Sequence, residues 1–449
     1  MDSRHRTIRT RDGSDPAPSR YDSDSMRVAF TNLGCKLNQA ELEALARRFS
    51  GAGHTVVRSL DEADLHVVNT CTVTHVAARD SRKTARRGAR VNPRLRTVIT
   101  GCHVESDPVE AARLSGVDLV VPNADKDELL DRVHVAFPEL RPRETSLDIP
   151  YVPLEFGNAR ALVKIEDGCN MQCAFCIIPA TRGRQQSRRP EEIIAEIRGL
   201  AASGFDEIVV TGVQISSYRS QGFGLYELVR EALDATDVAR LRLTSIAPWE
   251  FDPRLLELFA GGRLCRHFHL SLQSGCDETL RRMRRPYSSA HFRGLTESIR
   301  RHLPGVAVTT DVIVGFPGET DGEFESSLAF VERETFARVH AFPYSERPGT
   351  VAADMTDKVD PQTIRERMQR MLEVARASEA RFARSQVGES VSVLWESKHA
   401  EIWRGTSDNY LRVHTESELD LERSLSRTLL VAADGAALRG VTSTSARLL

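Results

Sequence analysis

Short apolar runs alternate with helix-like segments along most of this chain, and that alternation constrains its fold more than any other feature. In residues 26–138 the runs predict five short strands, at Val28–Thr31, Val56–Arg58, Leu65–Asn69, Val98–Thr100 and Leu119–Val121. Strands that alternate with helices favour a parallel sheet with helices packed against it. We therefore predict an α/β fold in which residues 26–138 form a doubly wound parallel sheet.

The same alternation resumes in residues 155–385, after a charged, proline-containing linker at residues 139–154. Six further strands are predicted there, at Ala161–Ile165, Glu207–Thr211, Arg240–Ser245, His267–Leu272, Val306–Val314 and Ala337–Phe342. Six strand–helix units in a row predict an open (β/α) barrel, followed by a long amphipathic helix at Pro361–Ser385. In such barrels the working face lies at the carboxyl ends of the strands.

The last part of the chain, residues 386–449, changes from helical periodicity to alternation with a period of two. With glycines at the breaks, this pattern predicts a small antiparallel β-barrel of about five strands. Small barrels of this type often bind nucleic acid, and an inert cap on the larger barrel is the alternative. Trp403, Tyr410 and Arg412 are candidates to stack on or clamp RNA, with barrel packing as their alternative role.

The composition excludes several classes of protein. The 449 residues carry a net charge of only −2, so no overall field draws the chain to nucleic acid. Eight cysteines are too few for a disulfide scaffold, and no run approaches the ~20 apolar residues of a membrane span. Residues 1–25 lack an apolar core and predict a disordered tail, not a signal peptide. We expect a cytoplasmic protein whose thiols stay reduced and available for metal.

Three cysteines lie within eight residues, directly after the first barrel strand. Cys169, Cys173 and Cys176 have the spacing C-x3-C-x2-C, which places three thiolates on one short loop at the working face. Three thiolates suit three irons of a cubane iron–sulfur cluster and leave the fourth iron open for chemistry. A structural zinc site would want a fourth cysteine or histidine, and none follows at the usual distance; three buried thiols are the other alternative.

A second set of three cysteines shares a position in the strand–helix pattern. Cys35, Cys71 and Cys102 each lie one to four residues past a predicted strand end. Parallel strands place these ends side by side at one edge of the sheet, so we expect the three thiols to gather and hold a second cluster. Independent structural thiols are the alternative, and free core thiols are what we expect of Cys265 and Cys276.

A basic segment lies between Cys71 and Cys102. Six basic residues recur at helical spacing on one face of the predicted helix: Arg79, Arg82, Lys83, Arg86, Arg87 and Arg90. Asp80 is the only acidic residue in this stretch, whereas a face that merely meets solvent usually mixes both signs. We predict a phosphate-binding face with salt-dependent affinity for RNA, and a solvated helix face is the alternative.

Several segments carry a family resemblance over residues 26–449. They are Gly34–Gln39 (GCKLNQ), Asn69–Thr74 (NTCTVT), Thr100–Cys102, the Cys169 loop, His269–Asp277 and Val312–Glu319. Together they resemble the radical methylthiotransferase family of radical S-adenosylmethionine (SAM) enzymes. The first two resemble the subfamily that acts on N6-threonylcarbamoyladenosine beside the tRNA anticodon. The last domain resembles a TRAM barrel, although Gly405–Tyr410 lacks the usual aromatic residue after the glycine.

The resemblance implies a chemistry that the spacing alone does not show. A 4Fe-4S cluster on Cys169, Cys173 and Cys176 would cleave SAM to a radical that removes hydrogen from C2 of the adenine. Because that C–H bond has no useful acidity at neutral pH, a general base would not suffice. A second 4Fe-4S cluster, on the other three cysteines, would present sulfur, and a second SAM would supply the methyl group.

The resemblance also implies further binding residues and partners. Thr211 and Gly212, after the second barrel strand, and Gly315 and Glu319, after the fifth, are expected near the radical cofactor, with turn formation as the alternative role. The expected partners are a tRNA anticodon stem-loop, an electron donor and a sulfur source. No individual catalytic residue is predicted.

Other hypotheses stay open. Methylthiolation of N6-isopentenyladenosine in tRNA or of a ribosomal protein belongs to the same class of reaction. An iron–sulfur electron carrier or RNA-binding protein belongs to another class, although an electron carrier normally holds each cluster with four protein ligands.

Overall fold

The computed structural model describes residues 25–140 and 159–442, which form two compact units. Within the described residues, the first unit comprises 25–140 together with 177–183, and the second comprises 159–176 and 184–442. The tail predicted at 1–25, apart from Ser25, and most of the linker predicted at 139–154 lie outside the described residues. In the described parts of the chain, no helix combines the length and apolar character needed to cross a bilayer.

The first unit is a parallel sheet flanked by helices. Its strands are β1 (Arg27–Asn32), β2 (Thr55–Val57), β3 (Leu65–Thr70), β4 (Arg96–Gly101) and β5 (Leu119–Val120). Its helices are α1 (Lys36–Gly51), α2 (His75–Val91), α3 (Cys102–Ser106), α4 (Pro108–Arg113), α5 (Leu129–Ala136) and α6 (Ile178–Arg182), with 3-10 turns at Asn123–Glu128 and Pro138–Leu140. The strands are ordered β2-β1-β3-β4-β5 and every pair is parallel, which confirms the predicted sheet.

Alternate residues of the central strands contribute to two apolar layers, because successive side chains point to opposite faces of a sheet. Val67 and Val98 pack in the layer that contains α1 and α5, whereas Val68 and Ile99 pack in the layer that contains Ala85 of α2. Both faces are therefore covered, as a doubly wound sheet requires. The short helices α3 and α4, of five and six residues, were not predicted because they are too short to show a helical period.

The second unit begins with an open α/β barrel. Its strands are β6 (Arg160–Lys164), β7 (Glu166–Asp167), β8 (Gln186–Ser187), β9 (Glu207–Thr211), β10 (Arg240–Leu243), β11 (His267–His269), β12 (Ala307–Val314) and β13 (Arg338–Pro343). Its helices are α7 (Pro190–Ala202), α8 (Leu225–Ala235), α9 (Asp277–Arg282), α10 (Ser289–His302), α11 (Asp321–Arg333) and α12 (Pro361–Ser385), with 3-10 turns at Ile215–Ser217, Pro248–Glu250, Pro253–Gly261 and Val351–Asp354.

Six of these strands correspond to the six predicted ones. They form two parallel sheets, β10-β9-β6 and β11-β12-β13, which are linked by parallel bridges from Leu241 to Leu264 and from Ile246 to Leu270. The strands therefore follow one another in chain order around an open barrel. β7 and β8 form a separate antiparallel pair, which the alternation did not predict.

The C-terminal strands form a small closed barrel. They are β14 (Ser390–His399), β15 (Ile402–Ser407), β16 (Arg412–Glu416), β17 (Leu425–Asp434) and β18 (Ala437–Thr442). The barrel closes in the order β14-β15-β16-β18-β17, and one pair, β16 with β18, is parallel. The predicted five-stranded barrel is thus confirmed, with that one departure from an antiparallel arrangement.

Buried ion pairs fix this small barrel to the amino ends of the larger barrel's strands. Arg242 donates from Nε to Glu207 Oε1 at 2.7 Å, and from its terminal nitrogens to the carbonyls of Ser407 at 3.0 Å and Asp408 at 3.1 Å. Because Glu207 begins β9, this junction lies at the end of the barrel opposite to the carboxyl ends of the strands.

Candidate metal centres

Cys35, Cys71 and Cys102, called here the sheet set, lie at one edge of the N-terminal sheet. β1, β3 and β4 are neighbours whose carboxyl ends are in register. Cys35 follows β1 by three residues, Cys71 follows β3 directly, and Cys102 begins α3 directly after β4. Cys71 and Cys102 are buried, and Cys35 is exposed. The fold brings the three residues to the same edge, and their role as cluster ligands stays a prediction.

Two glycines let the loops of the sheet set approach one another closely. A Cβ on Gly34 would lie 2.7 Å from Cys71 Sγ, and a Cβ on Gly101 would lie 2.5 Å from Asn69 Oδ1. Their φ angles are +111° and +103°, a region that residues other than glycine adopt only at a cost. The loop after β1 therefore touches Cys71, and the turn after β4 touches the end of β3.

The surroundings of Cys71 favour its protonated form. Burial raises the pKa of the Cys71 thiol to about 12, and the neighbouring Cys102 and Cys35 sulfurs act in the same direction. The Cys71 thiol is then protonated at neutral pH until a metal cation binds, since a coordinating thiol is deprotonated outright. Mutual electrostatic influence also indicates that the three sulfurs lie near one another.

Among residues 25–140 and 159–442, no three or more histidine, cysteine or carboxylate side chains lie close enough together to hold a single metal ion. A cubane cluster makes a different demand, because each thiolate bonds its own iron at a separate corner. All eight cysteines are free thiols, so both three-cysteine sets can supply thiolate ligands. The chemistry of the donors therefore fits a cluster.

A network of buried polar side chains lies beside the sheet set. Arg182 of α6 donates to Glu41 Oε1 at 2.9 Å and to Asn38 Oδ1 at 2.5 Å, and Lys126 donates to Glu41 Oε2 at 2.6 Å. Cys35 Sγ lies 3.8 Å from Asn38 Oδ1. Sequence analysis missed this network because its members are up to 144 residues apart and share no local pattern.

Cys169, Cys173 and Cys176, called here the barrel set, lie on the loop after β7, near the carboxyl end of the first barrel strand. All three are partly buried. The Met171 amide donates to Cys169 Sγ at 3.4 Å, and the Cys176 amide donates to the Cys173 carbonyl at 3.1 Å. Burial raises the pKa of the Cys169 thiol. The hydrogen bond from the Met171 amide lowers this pKa, but burial has the larger effect. Like the sheet set, these cysteines stay predicted ligands.

One arginine reaches the barrel set from a distant part of the chain. Arg285 donates from Nη1 to Cys173 Sγ and from Nη2 to the Ser271 carbonyl, both at 3.2 Å. Its guanidinium lies over the rings of Trp249, at 4.5 Å from the centroid, and Tyr287, at 5.3 Å. Sequence analysis gave Arg285 no role, since 112 residues separate it from Cys173. These contacts hold a positive charge against one of the predicted ligand sulfurs.

Thr211 and Gly212 lie at the carboxyl end of β9. The Thr244 hydroxyl donates to Thr211 Oγ1 at 3.2 Å, and a Cβ on Gly212 would lie 2.8 Å from Glu166 Cδ. The Glu166 carboxylate also accepts the Gln214 amide at 2.6 Å. Gly212 is thus needed for the close approach of Glu166 to this turn, and contact with a cofactor stays a prediction.

Gly315 and Glu319 form one turn after β12. Gly315, with a φ of +77°, donates its amide to Glu319 Oε1 at 3.0 Å, and Arg367 of α12 donates to the same oxygen at 2.8 Å. Burial raises the pKa of Glu319. The two donors lower this pKa, but burial has the larger effect. The carboxylate therefore fixes the shape of the turn, while a contact of either residue with a cofactor stays a prediction.

The predicted basic face lies on α2. Arg82 is partly buried. The other five basic residues are exposed: Arg79, Lys83, Arg86, Arg87 and Arg90. Arg79 lies 3.5 Å from Asp80, and Arg82 lies 3.5 Å from Glu110. Thr74 caps the helix and accepts the Ala77 amide at 3.1 Å. The structure thus presents this charge on one regular surface, whose binding to RNA stays a prediction.

The three RNA-contact candidates in the last domain have different surroundings. Trp403 is buried in the small barrel's core. Tyr410 stacks on His267 with 4.4 Å between ring centroids, and Arg242 lies over its ring. The Arg412 side chain is 70% exposed. Trp403 and Tyr410 therefore serve in packing, the alternative that the sequence left open. Tyr410 is half-buried, and Arg412 is the exposed member of the three.

Two family models match the chain. One, described as the Radical SAM superfamily, matches residues 163–331 and so includes the barrel set. The other, described as Uncharacterized protein family UPF0004, matches residues 27–122 and so includes the sheet set.

Curated relatives are similar over most of the chain. Threonylcarbamoyladenosine tRNA methylthiotransferase MtaB of Bacillus subtilis (strain 168) is 35% identical over 403 residues, 86% of this chain and 89% of that protein. The Aquifex aeolicus (strain VF5) protein of the same name is 34% identical over 402 residues, 87% of this chain and 97% of that protein. The tRNA-2-methylthio-N(6)-dimethylallyladenosine synthase of Anoxybacillus flavithermus (strain DSM 21510 / WK1) is 33% identical over 409 residues, 86% of this chain and 77% of that protein.

A solved structure has the same fold. It is the radical S-adenosylmethionine methyltransferase TsrM from Kitasatospora setae, with tryptophan substrate and a SAM analog bound. The TM-score is 0.56 at 15% sequence identity, over 84% of this chain and 79% of that chain. At this identity the likeness supports the fold alone.

Proposed function

The chain belongs to the radical SAM tRNA methylthiotransferase family, and from that premise we propose that it adds a methylthio group to C2 of N6-threonylcarbamoyladenosine beside the tRNA anticodon. Relatives named for this substrate are 34 to 35% identical, and relatives named for dimethylallyladenosine are 33 to 34% identical. Since these identities barely differ, the choice depends on the GCKLNQ and NTCTVT segments at Gly34–Gln39 and Asn69–Thr74. The dimethylallyladenosine substrate is the second candidate.

The observation that carries the proposal is the presence of two three-cysteine sets, each at the carboxyl ends of parallel strands. The family implies SAM and one 4Fe-4S cluster, which together supply a radical that can remove the hydrogen from C2. We assign this cluster to the barrel set, because its partly buried loop lies at the end of the strands where such barrels bind ligands. Arg285 orients this loop through Cys173 Sγ, and Thr211, Gly212, Gly315 and Glu319 shape the turns after β9 and β12.

A methylthio group contains sulfur as well as a methyl carbon, so the sheet set needs a role of its own. We assign to it a second 4Fe-4S cluster, whose fourth iron would be open to the sulfur atom that is transferred. The close packing of Gly34 against Cys71 and the shared strand edge support this assignment. The chemistry requires an electron donor and a sulfur source as partners.

The basic face of α2 is proposed to bind phosphates of the anticodon stem. Anticodon loops are already partly unstacked, so presenting one base costs a few kcal/mol at most, and phosphate contacts can supply the affinity. Replacing Arg86 and Arg87 by glutamine should lower the slope of log affinity against log salt by about two for an anticodon stem-loop. The matched control is Arg113→Gln on α4, also exposed in the same unit. An unchanged slope in the double variant would remove α2 from the interface.

The substrate is tested by nucleoside mass spectrometry of tRNA from a deletion strain. The 2-methylthio mark on N6-threonylcarbamoyladenosine should disappear and return when the intact gene is restored. A gene with alanine at Cys71 should not restore it. Persistence of that mark together with loss of the mark on isopentenyladenosine would favour the second candidate.

A further inference from the structure

Two cations and one anion are buried beside the sheet set. The side chains of Arg182, Glu41 and Lys126 are 1%, 4% and 6% exposed. Buried ions have a large desolvation cost, and a well-packed apolar replacement is often equally stable, so this group is weak evidence for stability alone.

The network is tied to the loops that carry the cysteines. Asn38 donates from Nδ2 to the carbonyls of Leu33, at 2.9 Å, and Thr70, at 3.0 Å. Its Oδ1 therefore points away from these carbonyls and accepts Arg182 Nη2 at 2.5 Å, with Cys35 Sγ at 3.8 Å from the same oxygen. Leu33 precedes Cys35 by two residues, and Thr70 precedes Cys71 by one. A shift of Arg182 would thus reach two of the three predicted ligands.

Glu41 keeps the arginine in a fixed orientation. Arg182 binds both carboxylate oxygens, from Nη1 to Oε1 at 2.9 Å and from Nη2 to Oε2 at 3.2 Å. This fork geometry is one that arginine forms and lysine does not. Lys126 binds Oε2 at 2.6 Å and Asn69 Oδ1 at 3.4 Å. The guanidinium is therefore a fixed, buried positive charge near the sulfurs of Cys35 and Cys71, which become thiolates when iron binds.

We propose that Arg182 is a positioning residue for the sheet set, which holds Asn38 against Cys35 and stabilises an anionic iron–sulfur cluster with its own positive charge. This inference depends on the second cluster of the proposed function. Reduction adds one electron and hence one negative charge to a cluster. Loss of the arginine charge should make reduction harder, and loss of the Glu41 charge should make it easier, so the two substitutions predict shifts of opposite sign.

The experiment uses the full chain with Cys169, Cys173 and Cys176 all replaced by alanine, so that bound iron reports on the sheet set. With Arg182 intact, anaerobic reconstitution should give about four irons and four sulfides per chain. In that background Arg182→Gln should lower the reduction midpoint, followed by electron paramagnetic resonance, by the equivalent of a tenfold or larger change in the reduction equilibrium, about 59 mV for one electron. Glu41→Gln should raise it.

The controls separate charge from structure. Arg182→Lys keeps the charge and should keep the midpoint within half of the shift seen with glutamine, while retaining less iron because the fork to Glu41 and Asn38 is lost. Arg132→Gln, on α5 of the same unit and ion-paired near the surface, should change neither quantity. If Arg182→Gln fails to fold by circular dichroism, the Glu41→Gln shift tests the same charge effect with the opposite sign.

Two outcomes have distinct meanings. If the parent background binds no iron, the second cluster of the proposed function fails. If that background binds about four irons and both Arg182→Gln and Glu41→Gln leave the midpoint and iron content unchanged, or shift the midpoint in the same direction, the role of Arg182 is overturned.

Discussion

The two three-cysteine sets are built in opposite ways. The barrel set lies within eight residues on one loop, whereas the sheet set spans 68 residues and meets only because three neighbouring strands end at one edge. The barrel set is partly buried, and the sheet set has two buried members and an exposed one. Local sequence therefore defines the barrel set, while the backbone of a whole sheet defines the sheet set.

The supporting charges differ in the same way. Arg285 donates directly to a sulfur of the barrel set and is held by aromatic rings. Arg182 lies next to the sheet set through Asn38 and is held by a buried carboxylate. We expect iron binding by the barrel set to depend mainly on its own loop and on Arg285. We expect the sheet set to respond also to changes in backbone packing.

The largest expected effect comes from removing each set. Alanine at all three positions of the barrel set should abolish both SAM cleavage and product, because no cluster would remain to hold SAM. Alanine at all three positions of the sheet set should leave cleavage to 5′-deoxyadenosine intact but abolish the methylthiolated nucleoside. Both products are measured by mass spectrometry, with Cys276→Ala, outside both sets, as the control. Methylthiolated product from the sheet-set variant would show that the sheet set is not needed for sulfur transfer.

The next largest effect is expected from Gly101→Ala, which adds one methyl group beside the sheet set. In Gly101→Ala the new Cβ would lie 2.5 Å from Asn69 Oδ1 at a φ of +103°, so the β4 turn must move and Cys102 with it. We expect loss of about half the iron, with about 1–3 kcal/mol of backbone strain. Gly204→Ala is the matched control, because its φ is +90° but no atom lies within 4 Å of its Cβ site. Equal iron in the two variants would show that the sheet set does not depend on this contact.

Loss of the Arg285 hydrogen bond to Cys173 Sγ should affect the barrel set alone. Arg285→Gln removes the charged donor to Cys173 Sγ, and changes around metal ligands typically cost 10–100-fold in metal affinity or activity. We expect about that decrease in the rate of SAM cleavage, measured with both clusters reconstituted. The control is Arg284→Gln, whose side chain is exposed. A normal cleavage rate would make Arg285 a packing residue only.

The smallest effect is a pH dependence of the first unit. Burial lowers the pKa of His54 and of His66 to about 4, with His134 and Arg87 acting in the same direction. Their unfolded pKa is higher, so the unfolded chain binds more protons below pH 6.5 and stability falls as pH falls toward 4. Each histidine contributes at most about 3 kcal/mol to this loss.

The measurement uses iron-free protein between pH 6.5 and 4.5. All three tryptophans lie in the second unit, so their fluorescence follows that unit, whereas circular dichroism follows both. The circular dichroism transition should shift to lower temperature ahead of the fluorescence transition as pH falls. In His54→Gln that separation should shrink, and His302→Gln, an exposed change on α10, should leave it intact. Coincident transitions at every pH would contradict these histidine assignments.

The sequence predicted most of the fold because its signals are local. All five strands of the N-terminal sheet, all six parallel strands of the open barrel and the small closed barrel follow from hydrophobic alternation within short windows. The helices α3 and α4 escaped because so few residues show no period. The parallel pairing of β16 with β18 escaped because pairing direction depends on where distant strands return, not on their own sequence.

Site residues were predictable from the sequence where they directly follow a strand end. Cys71 and Cys102 were expected at one sheet edge from the strand pattern, and the structure places them there. The sequence did not assign Arg182 or Arg285 to a cysteine set, because each reaches its site across more than 100 residues of sequence. Tyr410 illustrates the converse: the sequence offered it as an RNA contact, and the structure packs it against His267, a partner that local sequence does not reveal.

The central claim is that each set holds its own cluster, and an iron count tests it most directly. Anaerobically reconstituted protein should contain about eight irons per chain, and each triple-alanine variant should contain about four. About four irons in the intact chain, with no further loss when the sheet set is replaced, would contradict the account.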